Sequence, residues 1–582
     1  MDKNTVIAIV LSTLVIIGGF TIQAKFFPPD QVSTNLPATE KTVSSSNQEI
    51  IAPSSFIENT IEILPDTETQ LSEEHITIET ELVKIVFTNR GGDILSYQLK
   101  KHSDKDTYVE MANFTTDSNR AFSIILGNSS GKPLNDLFSV KRIDENSIGF
   151  FRNYDVKNED GSISTFTLAK QYSFLPNDYM FDLKITINGD STFSGLNSDN
   201  ASYTLITSPQ IGPEWKQKQD KYEYRRFYHL LEGKKKTVNV GQGQTKAIND
   251  HISWTGVAGK YFTLIAIPQE IPVSTLLYST RPTIQDETAA QIYLTRAPIL
   301  GNKSTDVWRF YIGPRTDKNL SKYNIITNNP YGMSNIRLDQ IVEGSGILGP
   351  LEVVLKWMME FFYKIIPNWG VSIIILTVLM RLILFPLTKK SSESTHKMQE
   401  LQPKIKEIQD KYQGNQQKMN EEMAKFYKTV GYNPLSGCLP MLIQFPLIFA
   451  MYGLFNNYFE FRGAMFIPGW IPDLSQGDSI MNLPFTVPFL GWSNIRLLPM
   501  IYVVSQLLFS KVTQTPAAGQ QNSSMKMMMY GMPLFFFFIF YNAPAGLLVY
   551  WIFSNVLTLI QQVIINKMMA KNKDTNLRLV KK

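Results

Sequence analysis

The chain has a single cysteine, Cys438, in 582 residues, which excludes a disulfide within it. Its five histidines are scattered without ligand-like spacing. No metal site is therefore expected, and each histidine reads as an ordinary surface residue. There is no Walker loop, no Ser-His-Asp set and no carboxylate pair placed to act together, so neither enzymatic chemistry nor a cofactor is expected. The net charge is only +5. Its basic residues form no patch interleaved with aromatics, which argues against direct nucleic-acid binding. Acidic residues are missing from every long apolar run.

Hydrophobic residues make up 43% of the chain, and they are unevenly spread. Thr5–Ala24 is an apolar run behind Lys3, of bilayer length. A signal peptide and an uncleaved span both fit; the missing Ala-x-Ala site favours an N-terminal transmembrane helix over residues 1–25. Residues 26–75 are rich in Pro, Ser, Thr, Asn and Glu and read as a flexible linker. From 76 to 345 the period changes to two. Val83, Ile85 and Phe87 alternate, Asn89-Arg90-Gly91-Gly92-Asp93 supplies a turn, and Tyr179–Ile187 and Tyr261–Ile267 are further strands. This pattern predicts a large β-sandwich domain.

Over residues 350–367 the apolar positions take helical spacing. Glu352, Lys356, Glu360 and Lys364 form one charged stripe, the pattern of an amphipathic helix lying in a membrane interface, with a soluble helix packed on the β domain as the other reading. Residues 368–566 then read as a membrane core with five transmembrane helices: Gly370–Thr388, Cys438–Phe455, Ile495–Ser510, Met527–Tyr541 and Ala545–Ile565. With the first segment that makes six. Between the first two of the five, residues 389–433 read as a helical hairpin. Met398, Leu401, Ile405, Ile408 and Tyr412 seam one arm; Met419, Met423, Phe426 and Val430 seam the other. Residues 567–582 form a basic tail. The hairpin and tail are rich in lysine, whereas the loop 456–494 carries only Arg462. The positive-inside rule therefore puts both termini and the hairpin in the cytoplasm and the β domain on the far side, the periplasm.

Arg381 lies inside the segment Gly370–Thr388. A central arginine costs about 2.5–3.5 kcal/mol on insertion scales. On a straight helix, Thr388 lies seven residues away, so Arg381 sits roughly 10 Å deep, and snorkelling to the interface is one reading. No span offers it a carboxylate. Water or a visiting anion is the other reading, in a polar groove formed with Thr377, Gln444, Ser505, Gln506, Ser554 and Asn555. Singly, each of these polar residues reads equally as a helix–helix hydrogen bond. Met525, Met527–Met529, Met532 and Phe535–Phe538 offer a soft apolar face. A polytopic transporter is the alternative function, and the absence of intramembrane carboxylates counts against it.

Ordered along the chain are Asn368-Trp369-Gly370-Val371-Ser372, Arg381 followed by Pro386-Leu387-Thr388, Leu401-Gln402-Pro403-Lys404-Ile405 and Asn433-Pro434-Leu435-Ser436-Gly437-Cys438. Gln444-Phe445-Pro446, Tyr550 through Ser554-Asn555 to Gln561-Gln562 and, in the β domain, Asn89-Arg90-Gly91-Gly92-Asp93 and Tyr311-Ile312-Gly313-Pro314 continue the set. In these stretches the chain resembles the YidC family of bacterial membrane protein insertases, in its Gram-negative form. The resemblance implies a β-supersandwich periplasmic domain and insertion of nascent membrane proteins into the inner membrane without ATP, alone or with the Sec translocon. It implies Arg381 as the groove arginine with Thr377 beside it, and an apolar slide for the substrate on the third and fifth spans: Phe445, Phe449, Met528, Met532 and Phe536. The ribosome, the signal recognition particle receptor and membrane lipid are the further partners it implies. The tail is short, which counts against strong ribosome binding through it.

Overall fold

The computed structural model describes residues 63–64, 71–104, 107–157, 163–189, 200–215, 222–281, 289–342, 348–432, 439–487, 490–513 and 530–580. The N-terminal apolar run lies outside these residues, as does most of the stretch read as linker. Within that stretch Ile63–Leu64 is nonetheless a strand, paired to Val156 and Asp155. Its two apolar residues add an edge to a sheet whose core is formed elsewhere.

Alternation builds the β domain. Along Ile163–Phe174, Phe166, Leu168, Lys170, Tyr172 and Phe174 face inward and the alternate residues do not, as the two-residue period of a strand requires. Three sheets result. The largest runs in the spatial order Ile63–Leu64, Ser147–Lys157, Ile163–Phe174, Met180–Gly189, Lys303–Pro314, Phe262–Ile267, Trp254–Ala258, Arg226–Leu231 and Lys234–Val238, with Ser139–Asp144 pairing alongside. Phe262–Ile267 is buried at every position because it has a strand on each side and side chains packed on both faces. A five-stranded and a four-stranded sheet pack against the large one. Tyr97 meets Phe181 at 6.0 Å between ring centroids, and Phe87 meets Tyr172 at 4.9 Å. On the same face of the large sheet, Trp308 donates to the Tyr203 hydroxyl of the five-stranded sheet at 2.9 Å.

Two of the motifs gain a physical reason. In Asn89–Asp93 both glycines have positive φ, +69° and +59°, which L side chains rarely adopt. The turn delivers Asp93, fully buried, to two cations. Lys170 Nζ lies 2.6 Å from one carboxylate oxygen and Arg120 Nε 3.0 Å from the other. Lys170 also donates to the carbonyls of Gly91 and Phe122. Strand period puts this lysine among Leu168 and Tyr172 in the core, and burial lowers its pKa while Asp93 opposes the shift. In Tyr311–Pro314, a Cβ on Gly313 would come within 2.7 Å of the Tyr179 ring.

Two histidines correct the expectation that all are ordinary surface residues. His229 is buried in the strand Arg226–Leu231 at 4% exposure. His102 is half-buried where the β domain meets the loop after residue 457. Phe459 of that loop sits edge-on to His102, Phe262 and Tyr261, at 5.2, 5.7 and 6.0 Å. Arg462 lies over Phe262 at 5.1 Å. Burial first, and then the Arg462 charge, hold His102 down to about 4 from 6.5. The unfolded chain binds this proton more readily than the folded one. Stability from the neutral ring is therefore fully present above pH 6.5 and is lost as pH falls towards 4. His102→Gln is expected to flatten the fall in melting temperature across that window; an unchanged slope would exclude His102 as its source.

The helices follow. In α1 (Gly349–Ile365) Leu355 and Met359 are buried, while Val353, Trp357, Phe361 and Ile365 form an exposed apolar stripe at four-residue spacing. The segment read as one straight span is broken: α2 (Trp369–Ile383) and α3 (Phe385–Lys411) meet at 57°. Pro386 lacks an N–H, so the helix cannot continue its bonding through it. The seven-residue path from Arg381 to Thr388 therefore turns aside and is not one straight helix. Pro403 is accommodated inside α3. Asn415 caps α4 (Gln416–Thr429) by accepting from Lys418 N. Ile405 is buried, and most of the other seam residues of the two arms are half-buried.

α5 (Leu439–Asn457), α6 (Leu498–Thr513), α7 (Met532–Phe540) and α8 (Ala545–Val580) complete the set. Asp478 accepts the first N–H groups of α6 from Leu497 and Leu498 at 2.8 and 3.0 Å. The region read as a separate tail continues α8. Leu355, Ile373, Leu376, Met451, Leu454, Leu547 and Leu548 form a common core. Among the described residues, Ala545–Met569 is the one helix long and apolar enough by itself to cross a bilayer. Trp369–Ile383 with Phe385–Met398 qualifies only as a bent pair, and Leu498–Lys511 is apolar but shorter. Among the described residues the expected spans are thus not all seen as full-length apolar helices, and the first of the six lies outside them.

Candidate functional site

Arg381 sits two residues before the end of α2. Its guanidinium donates to the Ser554 hydroxyl of α8. Around it Thr377, Met380, Leu384, Gln444, Leu447 and Tyr550 line a pocket of about 10 Å³, room for one water centre. Among the described residues Arg381 forms no ion pair, and the pocket lining contains no carboxylate. Thr377, one turn before Arg381, is buried and donates back to the Ile373 carbonyl at 2.7 Å. That bond leaves the hydroxyl oxygen free to accept from a water or a ligand.

The structure divides the expected polar set. Arg381, Thr377, Gln444 and Ser554 come together. Ser505, Gln506 and Asn555 do not join them: Asn555 Nδ2 donates to Ser505 Oγ at 3.0 Å and to Gln506 Oε1 at 2.9 Å. This is a helix–helix cluster between α6 and α8. Asn555 follows Ser554 directly, so it points about 100° away around the helix. The sequence reading had Tyr550 in a family-resembling stretch but not among the groove residues. The signal for it is helical phase, since Tyr550, Ser554, Thr558 and Gln561 fall on one buried face of α8.

The apolar slide also divides. Phe445 and Phe449 are exposed on α5 with rings 6.4 Å apart. Phe536 instead packs inward, 5.5 Å from Phe540, and it is Phe535 and Phe538 that are exposed on α7. Helical phase decides this, because Phe536 and Phe540 share the inner face. Met528 and the side chain of Met532 lie outside what the structure describes.

A half-buried cation in a polar pocket between apolar helices, joined to a large β domain, fits an integral membrane protein with an extramembrane sandwich. Comparison with known proteins narrows the class. Residues 361–573 match the family model "60Kd inner membrane protein", and residues 75–342 match "YidC periplasmic domain". The chain is 52% identical to the membrane protein insertase YidC of Treponema denticola, over 98% of this chain and all of that protein. It is 43% identical to the Treponema pallidum protein of the same name, with the same coverage. A solved active YidC insertase with its first transmembrane domain resolved covers 87% of this chain, and 94% of that chain is matched, at 16% identity and a TM-score of 0.35.

The chain belongs to the YidC family of membrane protein insertases. It is an inner membrane protein with a mostly β periplasmic domain, and its function is that of an insertase.

Proposed function

We propose that the pocket around Arg381 is the narrow part of a groove that opens to the cytoplasm and receives acidic segments of proteins entering the membrane. The observation that carries this reading is a half-buried guanidinium beside Thr377, Gln444, Tyr550 and Ser554 with no carboxylate in the lining. A charge left in apolar surroundings is costly unless an anion or water meets it. A hydrated pocket lowers the cost of bringing a short polar segment part-way across, and the positive charge selects acidic ones. At its present size the pocket admits a water and not a peptide, so α2, α5 and α8 must part for entry. The substrate's apolar helix then passes along the exposed faces of α5 and α7 into lipid, and its burial drives release.

In this reading the chain spans the inner membrane six times, with both termini and the α3–α4 hairpin in the cytoplasm. Supporting it is the contrast between the lysine-rich hairpin and the loop 456–494, where Arg462 is the only basic residue. The exposed apolar stripe of α1 lies in the membrane interface. Nascent membrane proteins are the substrates. The Sec translocon is a partner, and the hairpin and the end of α8 face the ribosome and the signal recognition particle receptor. No step needs a catalytic residue or a cofactor.

The test is crosslinking of a stalled nascent membrane protein. A photoreactive residue at Met380 or Leu447 is expected to capture the nascent chain; one at Leu300, exposed on the β domain, is not. Equal capture at all three positions would remove the groove.

A further inference from the structure

The polar contacts of α8 continue beyond Ser554. Gln561 donates from Nε2 to the backbone carbonyl of Arg381 at 2.8 Å. Ser392 of α3 donates to Gln562 Oε1 at 3.0 Å, and His396 Nε2 lies 3.2 Å from Asn566 Oδ1. Gln562 Nε2 donates to that same Asn566 oxygen at 3.0 Å. These contacts meet both arms of the bent pair: Arg381 before the break, Ser392 and His396 after it.

We propose that Gln561 is a positioning residue for Arg381 and that, with Gln562 and Asn566, it clamps the bend between α2 and α3 onto α8. The proposal rests on the role given to Arg381 above. The Arg381 carbonyl is among the last four of α2, which a helix end leaves without intrahelical donors. In an apolar environment such a group needs a partner, and Gln561 supplies one. Arg381 is then held at two points by one helix, through its carbonyl by Gln561 and through its guanidinium by Ser554. Either contact alone would let the residue swing about the break at Leu384.

The other end of the Gln561 amide supports this. Gln561 is 8% exposed, and its Oε1 is buried with no hydrogen-bond partner. A leucine would fill this position without that orphan oxygen. Packing alone does not explain the amide; its donor does. The clamp also fixes the angle at which the α3–α4 hairpin leaves the membrane, so hairpin and groove are mechanically joined through α8.

The experiment uses the full chain in proteoliposomes and two substrates, a single-spanning protein with an acidic leader and the same protein with its leader neutralised. Gln561→Leu and Gln561→Met both keep the packing and remove the donor. Each is expected to melt near the parent temperature and to lower the preference for the acidic leader about fivefold, the range of one lost hydrogen bond. Spin labels at Lys406 on α3 and Lys567 on α8 are expected to give one narrow distance distribution in the parent and a broader one in either variant.

A folded variant that keeps either the preference or the narrow distribution overturns the clamp. If neither Gln561 variant folds, Ser392→Ala with the same labels decides, and an unchanged distribution overturns it. Arg381→Ala, run alongside, separates the two ideas. If it leaves the preference intact, the groove reading falls. If it erases the preference while both Gln561 variants keep it, only the clamp falls.

Discussion

Arg381→Ala is expected to lower insertion of single-spanning substrates with acidic leaders by about tenfold or more, with little change for substrates whose leaders carry no charge. The magnitude follows from a charged hydrogen bond, worth roughly 1.5–3 kcal/mol. Alanine removes the attraction and leaves Thr377, Gln444, Tyr550 and Ser554 as a neutral pocket. Arg381→Lys keeps the charge and loses the fork, so an intermediate defect is expected. Stability should not account for the loss. The guanidinium meets a neutral hydroxyl and, among the described residues, no carboxylate, so its removal strands no opposite charge. The measurement is the fraction of substrate inserted in proteoliposomes, for acidic and neutralised leaders side by side. Full activity of Arg381→Ala on the acidic substrate would end the charge-attraction mechanism.

The largest stability effect is expected in the β domain, at Asp93. This carboxylate is fully buried between Lys170 and Arg120. Asp93→Asn leaves two cations in the core with no counter-charge. Breaking a buried pair from one side costs about 3–5 kcal/mol, which for a domain of this size lowers the melting temperature by about 10 °C. Lys170→Met is expected to cost less. It removes the most deeply buried cation and leaves Asp93 paired to Arg120, although the carbonyls of Gly91 and Phe122 lose their donor. Thermal unfolding monitored by circular dichroism distinguishes the two variants. If Asp93→Asn melts with the parent, the triad does not hold the turn and the sheets together.

Much of this molecule was legible as pattern. Strand alternation marked the β domain, and the apolar runs marked the helical half. Arg381 stood out because charge inside an apolar run is rare. Pro386 was visible as well, but its consequence was not. A proline near the end of a run signals a break; the size of the turn, 57°, and the contact of Gln561 on α8 with the Arg381 carbonyl beside it are not readable from the run. The division of the polar residues was likewise hidden. Ser554 and Asn555 are neighbours in sequence, yet one meets Arg381 and the other meets α6. Their phase on α8 was available, but the position of α6 was not. Phe536 was placed on the exposed face for the same reason.

The sequence by itself determined the periods, the places where they change, the family resemblance and the charge that the helices must accommodate. These are local properties or sums over short windows. The tertiary structure decided which polar residues share a pocket, that Asp93 is matched by Lys170 from a strand 77 residues away, and that Gln561 reaches back 180 residues to the Arg381 carbonyl. A hydrogen bond needs its two atoms within about 3 Å, and no one-dimensional pattern carries a distance between residues so far apart along the chain.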